Sequence, residues 1–255
     1  MEKVDIIADM VLKSKTIVVF TGAGHSTESG ISDFRSPGGI WSRFDPSEFT
    51  FQKFMASEEG REKYWQFSSA SWPEMAAAQP NRGHHAIAEL HRMGRLDCVI
   101  TQNIDGLHQK SGIPDEKVIE LHGTAHWVDC LECHRRYPRE EIHRRFEAGD
   151  KVPRCEACGG IMKPATVSFG QAMPVEETAE AERRSAACDL FLVAGSSLVV
   201  YPAAQMPLIA HGNGAKLVIV NMEPTPHDHY ADVVIHGKTG EVLPQILAQL
   251  KAKPD

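Results

Sequence analysis

Four cysteines in two close pairs carry the most specific chemical signal in the sequence. Cys130-x-x-Cys133 is followed, after an interval of 21 residues, by Cys155-x-x-Cys158. Two such pairs at this separation are typical of a tetrahedral Zn²⁺ site in which thiolates occupy all four positions. Disulfides and unligated thiols are the alternatives. The pattern favours a structural zinc ion, which would stabilise a lobe whose core is too small to fold alone.

A glycine-rich segment is the second feature with a chemical meaning. It reads Gly22-Ala23-Gly24, continues through Ser26, and directly follows the apolar residues 17–20. Glycines at a strand-to-helix turn let backbone amides approach a diphosphate group. The spacing is not Gly-x-Gly-x-x-Gly, and no acidic residue stands about 20 positions further on after a second strand, where it would hold a ribose. A tight turn that requires only small residues is therefore the alternative.

Histidines and amides supply candidate acid–base and hydrogen-bonding groups. His122 ends an apolar run and could act as a general base near neutral pH. Thr101–Asp105 (TQNID) offers amides and a carboxylate for a ribose and a carboxamide, although Asn and Asp also favour turns and helix caps. The segments Gly195-Ser196-Ser197 and Asn221-Met222-Glu223 leave room for a nucleotide. Other histidines compete with His122 for the role of base, namely His84, His85, His108 and His126.

Six short apolar runs must position these groups. Their residues are β-branched and nearly continuous, which is typical of parallel strands covered on both faces. Helical patterns lie between several of them, as in Gly83–Arg92, Val175–Ala187 and Gly240–Lys251. This alternation predicts a doubly wound α/β sheet, in which ligands bind beyond the carboxyl ends of the strands. The runs are 17–20, 98–101, 118–121, 190–194, 217–220 and 231–235.

Two stretches do not follow the alternation and predict a smaller second domain. Residues 32–81 are rich in aromatic side chains, and residues 126–165 carry the paired cysteines. The larger, sheet-forming domain would then be discontinuous, with the segments 1–31, 82–125 and 166–255. Cys98 and Cys188 lie in or beside apolar runs, so we expect them to be buried packing residues and not nucleophiles.

Composition excludes several classes of protein. The 255 residues include 27 Lys and Arg against 34 Asp and Glu, and this net charge of −7 argues against direct nucleic-acid binding. No apolar run approaches the roughly 20 residues that cross a bilayer, so we expect no membrane association. The N-terminal residues lack the pattern of a secretory signal, which favours a cytoplasmic location where thiols stay reduced.

The order of the motifs resembles that of the sirtuins from residue 4 or so to residue 250 or so. No single motif is specific, but their combination is. The matching residues are Gly22-Ala23-Gly24 with Ser26, Ser29-Gly30-Ile31, Asp33-Phe34-Arg35, Thr101–Asp105, His122-Gly123, the four paired cysteines, Phe169-Gly170, Gly195-Ser196-Ser197 and Asn221-Met222-Glu223.

The resemblance implies an NAD-dependent protein-lysine deacylase that transfers the acyl group to ADP-ribose and releases nicotinamide. It implies a Rossmann-like lobe for NAD as co-substrate, a smaller lobe with one structural Zn²⁺, and acyl-lysine proteins or peptides as partners. His122 would be the general base and Asn103 a second catalytic residue. The implied cofactor contacts are Gly22, Ala23, Gly24, Ser26, Phe34, Arg35, Gln102, Asn103, Ile104, Asp105, Gly195, Ser196, Ser197, Asn221, Glu223, Lys238 and Thr239. The implied peptide contacts, which would add a strand, are Val167, Phe169, Gly170, Leu198 and Val199.

The helical insert bears on the acyl group. Sirtuins that remove acidic acyl groups carry a Tyr and an Arg three residues apart, whereas here Phe67 stands three residues after Tyr64. An anionic acyl chain would therefore lack a partner, and its desolvation is costly. We expect acetyl or apolar acyl groups to be favoured over succinyl. The chain also departs from the family pattern at His25, where an apolar residue is common, at Ser32 and at Gln171.

Two other functions fit the same motifs. ADP-ribose could be transferred to a protein side chain, or the chain could be a non-catalytic nucleotide-binding or zinc-ribbon module. The presence of His122 together with Asn103 argues against a module that only binds, because binding requires no general base.

Overall fold

The structure contains nine strands and nine helices within the part of the chain that it describes. It is a computed structural model, and it describes residues 2–33, 39, 42 and 44–253. The strands are β1 (Ile17–Thr21), β2 (Leu96–Thr101), β3 (Val118–Glu120), β4 (Gly123–Cys130), β5 (Arg136–Pro138), β6 (Met162–Thr166), β7 (Leu190–Ala194), β8 (Lys216–Asn221) and β9 (Val233–His236). The helices are α1 (Glu2–Lys13), α2 (Phe51–Ala56), α3 (Glu58–Ala77), α4 (Arg82–Arg92), α5 (Leu107–Lys110), α6 (Arg139–Glu147), α7 (Val175–Ala187), α8 (Met206–Gly212) and α9 (Thr239–Ala252).

A six-stranded parallel sheet in the order β3-β2-β1-β7-β8-β9 positions the candidate groups. The chain proceeds outward in one direction from β1 to β3 and in the opposite direction from β7 to β9. The border between β1 and β7 is therefore the topological switch point, where the following loops diverge and leave a crevice. Thr21 pairs with Ala194 at the carboxyl ends of these two strands, so both loops begin at the same level.

Helices cover both faces of this sheet. α1, α4 and α9 pack on one face, where Ile7, Ile87 and Ile246 join the core. α7 and α8 pack on the other, where Ala181 and Met206 join a second core. Because neither face meets water, every residue of β1 and β7 is buried, which explains the continuous apolar runs in the sequence.

A second, antiparallel sheet has the order β5-β4-β6. Its core includes Trp65 from α3 and Ile142 from α6, packed on Val128 and Met162 of the sheet. β4 begins immediately after residue 122 and ends at Cys130. One continuous strand thus joins the crevice of the large sheet to the cysteine pairs.

The architecture confirms the predicted fold class, a doubly wound parallel sheet with a smaller zinc-lobe sheet and helical insert. The predicted domain boundary between residues 125 and 126 falls within β4, and the division into domains stays a prediction. The glycine motif predicts a strand-to-helix turn after β1, and the helical part consists of two single 3₁₀ turns, Ala23–His25 and Thr27–Ser29. Gly30, at φ 87°, ends this short segment.

The helices bear on the expectation of no membrane association. Within the described ranges, none is at once long enough and apolar enough to cross a bilayer. The cytoplasmic location stays a prediction.

Candidate active site

The glycine loop lies against the loop that begins at Gly195, at the switch point of the sheet. Gly22 N–H donates to Ala194 O at 3.3 Å, and Gly24 N–H donates to Gly195 O at 2.9 Å. A Cβ atom at Gly22 or Gly24 would stand 2.9 or 3.0 Å from Gly195 O, which is closer than packing allows. Both positions therefore require glycine for a close approach of two backbones. The loop is therefore a tight turn that requires small residues, and phosphate binding by the same loop stays a prediction.

A buried hydrogen-bond network connects the glycine loop to the loop after β2. Ser26 Oγ donates to Asp105 Oδ2 at 2.7 Å, and Asn103 Nδ2 donates to both Ser26 Oγ and Gly22 O at 3.1 Å. Burial raises the pKa of Asp105, while hydrogen bonds from Leu107 N–H and Ser26 act against that rise. The network fixes the amide and the carboxylate in one orientation before any ligand binds.

His122 follows β3 and has a defined tautomer. Its Nδ1 lies 3.0 Å from Gln102 O, and because a carbonyl can only accept, Nδ1 carries the proton. Nε2 of the neutral ring is consequently the basic atom. Burial lowers the pKa of His122 and the bond to Gln102 partly offsets this, so the neutral form prevails near pH 7. These are the properties required of a general base.

The other candidate histidines are hydrogen-bonded to the backbone, exposed on a helix or buried. His126 Nε2 is bonded to Asp105 O at 2.8 Å, so its proton holds the backbone of the loop after β2. His85 is exposed on α4. His84 and His108 are buried, with 0% and 1% of their surface exposed. Of the five histidines considered, His122 best combines partial exposure with a free basic nitrogen.

Acid should destabilise the fold through three buried imidazoles. Burial lowers the pKa of His25 and His84 well below the ordinary value and that of His108 to about 3. The unfolded chain binds protons at these residues near pH 6.5, whereas the folded chain does not. Well above pH 6.5, these three imidazoles therefore leave the free energy of unfolding unchanged. It falls as the pH drops below that value, by up to about 1.4 kcal/mol per pH unit for each imidazole.

Urea unfolding followed by tryptophan fluorescence at several pH values measures this effect. In a His25→Leu variant, the free energy of unfolding should depend less steeply on pH, by the contribution of about one proton. The exposed His85→Leu variant is the matched control and should keep the wild-type slope. Equal slopes in all three proteins would contradict the assignment.

The loops after β7 and β8 supply the candidate groups for the adenosine half. Gln102 Nε2 donates to Ser196 Oγ at 2.8 Å, which links the loop after β2 to the loop after β7. Asn221 Nδ2 donates to Glu223 O at 2.8 Å, and the Glu223 side chain is exposed. Glycine loop, small hydroxyl side chain and uncharged amides together fit a dinucleotide, which needs close backbone approach and hydrogen bonds to its sugars.

Several predicted cofactor residues lie apart from this network. Lys238 is exposed and forms a 3.8 Å ion pair with Glu241. Thr239 is buried, and its Oγ1 lies 3.0 Å from His25 Nδ1. Ser197 is exposed next to buried Ser196, and Ile104 O accepts from Ala125 N–H at 2.9 Å. Phe34 and Arg35 lie outside the described residues. The remaining one, Ala23, is within the 3₁₀ turn of the glycine loop.

The predicted peptide loop connects β6 to α7 and adjoins His122. Val167 N–H donates to His122 O at 2.9 Å. The carbonyls of Phe169 and Gly170 accept from the start of α2, namely from the backbone N–H of residue 51 and the amide of Gln52, each at 2.9 Å. Phe169 is 46% exposed. The loop is therefore held between the imidazole and the helical insert.

The second half of the predicted peptide site follows β7. Val199 is 44% exposed, but Leu198 is 1% exposed and packs in the core beneath α7 and α8. Its φ of 54° turns the side chain inward. Leu198 can therefore offer only backbone groups to a peptide.

The four paired cysteines form one cluster. Their four sulfur atoms all lie within 4.8 Å of one another. Cys130 Sγ is 3.5 Å from Cys158 Sγ, and Cys133 Sγ is 3.6 Å from Cys155 Sγ. A tetrahedral Zn²⁺ with bonds of about 2.3 Å requires sulfurs about 3.8 Å apart, so the donor set fits the ion. The cluster stands at the far end of β4 from His122, on the order of 20 Å along the strand. All four thiolates are used, so the site has a structural role.

Sequence reasoning missed the buried hydroxyls that support the loop after β2. Thr21 Oγ1 donates to Thr101 Oγ1 at 2.8 Å, and Asn103 N–H donates to Thr101 Oγ1 at 3.0 Å. His108 Nε2 lies 2.8 Å from Thr21 Oγ1. A threonine at the carboxyl end of each of two neighbouring strands was the available signal.

Comparison with known proteins gives matches along nearly the whole chain. The model of the Sir2 family matches residues 22–202. An NAD-dependent protein deacetylase 1 from Bradyrhizobium diazoefficiens is 51% identical over 240 residues, which cover 94% of this chain and 93% of that protein. An NAD-dependent protein deacylase 2 from Archaeoglobus fulgidus is 47% identical over 245 residues, which cover 96% and 94%. A solved structure of Sir2Tm bound to a propionylated peptide has a TM-score of 0.88 at 36% identity and covers 98% of this chain and 100% of its own.

Proposed function

This chain belongs to the Sir2 family, and we propose that it moves the acyl group of a modified lysine onto the ADP-ribose part of NAD, with release of nicotinamide. It is an NAD-dependent protein deacylase with NAD as co-substrate and one structural Zn²⁺. The observation that supports the mechanism best is the bond from His122 Nδ1 to Gln102 O, which makes Nε2 the basic atom.

The residues of the crevice have separate tasks in this mechanism. When bound, NAD supplies a glycosidic bond that can be cleaved and a ribose that accepts the acyl group. Asn103 and Asp105, held by Ser26, orient the nicotinamide half through hydrogen bonds. His122 Nε2 takes a proton from a ribose hydroxyl, and the lowered pKa keeps the imidazole ready to do so near neutral pH.

The acyl-lysine peptide is proposed to enter between the loop after β6 and the loop after β7. Val167, Phe169 and Gly170 would line one side, and the backbone at Leu198 with Val199 the other. Exposed Phe169 and Val199 would cover the aliphatic part of the lysine and exclude water from the reacting groups. In this proposal the peptide would lie beside His122, to which the first loop is hydrogen-bonded.

A product assay tests the function directly. Purified protein is incubated with NAD and acetyl-lysine peptide, and the products are identified by mass spectrometry. We expect unmodified peptide, nicotinamide and an O-acyl-ADP-ribose in equal amounts. Transfer of ADP-ribose to protein without loss of the acyl group would instead identify a transferase, and no turnover would identify a binding module.

Succinyl-lysine should be a much poorer substrate than acetyl-lysine, by at least about tenfold in kcat/KM, because the position three residues after Tyr64 holds Phe67 and no cation, and desolvation of an unpaired anionic tail is costly. Phe67 packs against Phe44 and Phe49, with ring centroids 5.0 and 4.5 Å away. Lys163, beside Tyr64, already donates to the carbonyls of Pro164 and Thr166.

The same peptide sequence with either acyl group gives the rate comparison. A Phe67→Arg variant introduces a cation three residues after Tyr64, and it should raise the ratio of succinyl to acetyl activity. Retained acetyl activity would show that this variant folds. Comparable wild-type rates on the two peptides would refute our interpretation of the helical insert.

A further inference from the structure

Three buried histidines lie together beside the glycine loop and have no role in the proposed mechanism. His25 belongs to the loop itself, His84 to α4 and His108 to α5, and at most 1% of each is exposed. Their ring centroids are 4.3, 5.0 and 5.5 Å apart. One ring nitrogen of each lies within 4.8 Å of one from each of the others.

Each ring has one bonded nitrogen and one without a partner among the described residues. His25 Nδ1 lies 3.0 Å from Thr239 Oγ1, and His84 Nδ1 accepts from Asn81 N–H at 3.3 Å. His108 Nε2 lies 2.8 Å from Thr21 Oγ1. The bonded atoms are tied to three different elements, and we infer that the nitrogens that lie within 4.8 Å of one another are the other three. The unpartnered atoms are His25 Nε2, His84 Nε2 and His108 Nδ1.

The tautomers of two rings follow from these bonds. His84 Nδ1 accepts a backbone proton, so the neutral ring carries its own proton on Nε2. Thr21 Oγ1 gives its proton to Thr101, so it can only accept from His108, which must then be protonated on Nε2 and bare on Nδ1. The unpartnered atoms thus include a donor on His84 and an acceptor on His108. Such buried atoms are costly unless a hydrogen-bonding partner satisfies them.

We propose that His25, His84 and His108 bind one buried water molecule, which joins the glycine loop to α4 and α5. A point shared by three atoms within 4.8 Å of one another lies at most about 2.8 Å from each, which is hydrogen-bond length. The water would accept from His84, donate to His108, and do either with His25. Three partners are the usual number for a buried water.

A metal ion fits the same three histidines less well. Bonds to imidazole are about 2.0–2.1 Å long and require a lone pair from every ring. His84 has its proton on Nε2, so ligation there would need the other tautomer and would break the bond from Asn81. The three imidazoles are kept neutral by burial, as their lowered pKa values indicate, and a neutral hub needs no counter-ion.

The water gives His25 a positioning role in NAD binding, an inference that rests on the proposed function. His25 directly precedes Ser26, which holds Asp105 and Asn103. His108 reaches Asn103 from the other side through Thr21 and Thr101. The bridging water therefore completes a closed ring of bonds around the residues that orient the nicotinamide half.

A crystal structure and nitrogen-15 spectra of the imidazoles test the site without reference to activity. We expect one density peak within hydrogen-bond distance of the three rings, no anomalous signal there at the zinc edge, and one zinc per chain by elemental analysis. The spectra should place the protons of His84 and His108 on Nε2. A second metal, direct contact between the rings, an empty centre, or a proton on Nδ1 of His84 would each overturn the proposal.

Two variants of similar size test the positioning role. His25→Gln keeps a hydrogen-bonding group near the place of Nε2 and should retain the wild-type KM for NAD. His25→Leu removes it and should raise that KM about fivefold, the effect of one ordinary hydrogen bond, with kcat changed less than twofold. Equal KM values in both variants would refute the role, and thermal melting would confirm that each is folded. Failure of the proposed function would instead appear as an inactive wild type, while the structural arm would still decide whether the water is bound.

Discussion

Replacing His122 with alanine should lower kcat for deacylation by about 10²- to 10⁴-fold, the usual contribution of a general base. NAD binding should change little, because the side chains that we propose to hold the dinucleotide bond to one another and not to the imidazole. The contact that the substitution removes is the one to Gln102 O, which orients the ring. Kinetics with an acetyl-lysine peptide and calorimetric titration with NAD measure the two effects separately.

His85→Ala is the matched control for this substitution. His85 lies exposed on α4, so its removal should leave both kcat and NAD affinity at wild-type values. A His122→Ala protein that deacylates at the wild-type rate would show that another group takes the proton. Loss of NAD binding in that protein would show that the imidazole is part of the binding surface instead.

Removal of zinc should unfold the β4–β6 lobe and abolish deacylation. The core of this lobe is small, and two of its members, Cys130 and Cys155, are also metal ligands. Structural zinc sites contribute about 10–16 kcal/mol in small domains, far more than such a core supplies. The loss would reach the crevice because the peptide loop emerges from β6 and is bonded to His122 through Val167.

Cysteine substitutions separate loss of the metal from loss of a thiol. Cys133→Ser should release zinc, reduce the circular dichroism of the lobe and eliminate turnover, whereas Cys188→Ala, outside the cluster, should retain one zinc per chain and activity. The large sheet should still melt cooperatively in the zinc-free protein. Full activity after chelation, with zinc shown to be absent, would contradict a structural role for the ion.

The sequence predicted the large sheet and its helices well, because strands that are buried on both faces consist of nearly continuous apolar residues. Leu190–Ala194 and Val175–Ala187 have the bounds that their apolar and helical patterns indicate. The cysteine spacing likewise predicted the cluster, since two Cys-x-x-Cys pairs are typical of a tetrahedral zinc site.

Features that depend on packing between distant segments could not be predicted in this way. Nothing in the spacing of His25, His84 and His108 indicates that they meet, because their proximity arises from the docking of α4 and α5 against the glycine loop. The tautomer of His122 depends on a backbone carbonyl of another strand's loop. The inward turn of Leu198 depends on its φ angle, which residue type alone does not specify.

β4 connects the cysteine cluster directly to the backbone beside His122. Gly123, at one end of β4, directly follows His122, and Cys130, at the other end, belongs to the thiolate cluster. Two of the four cysteines, Cys133 and Cys158, are exposed at the surface of the lobe. Oxidation of these thiols would remove ligands of the ion, and the resulting disturbance would reach the backbone beside His122 along the eight residues of β4.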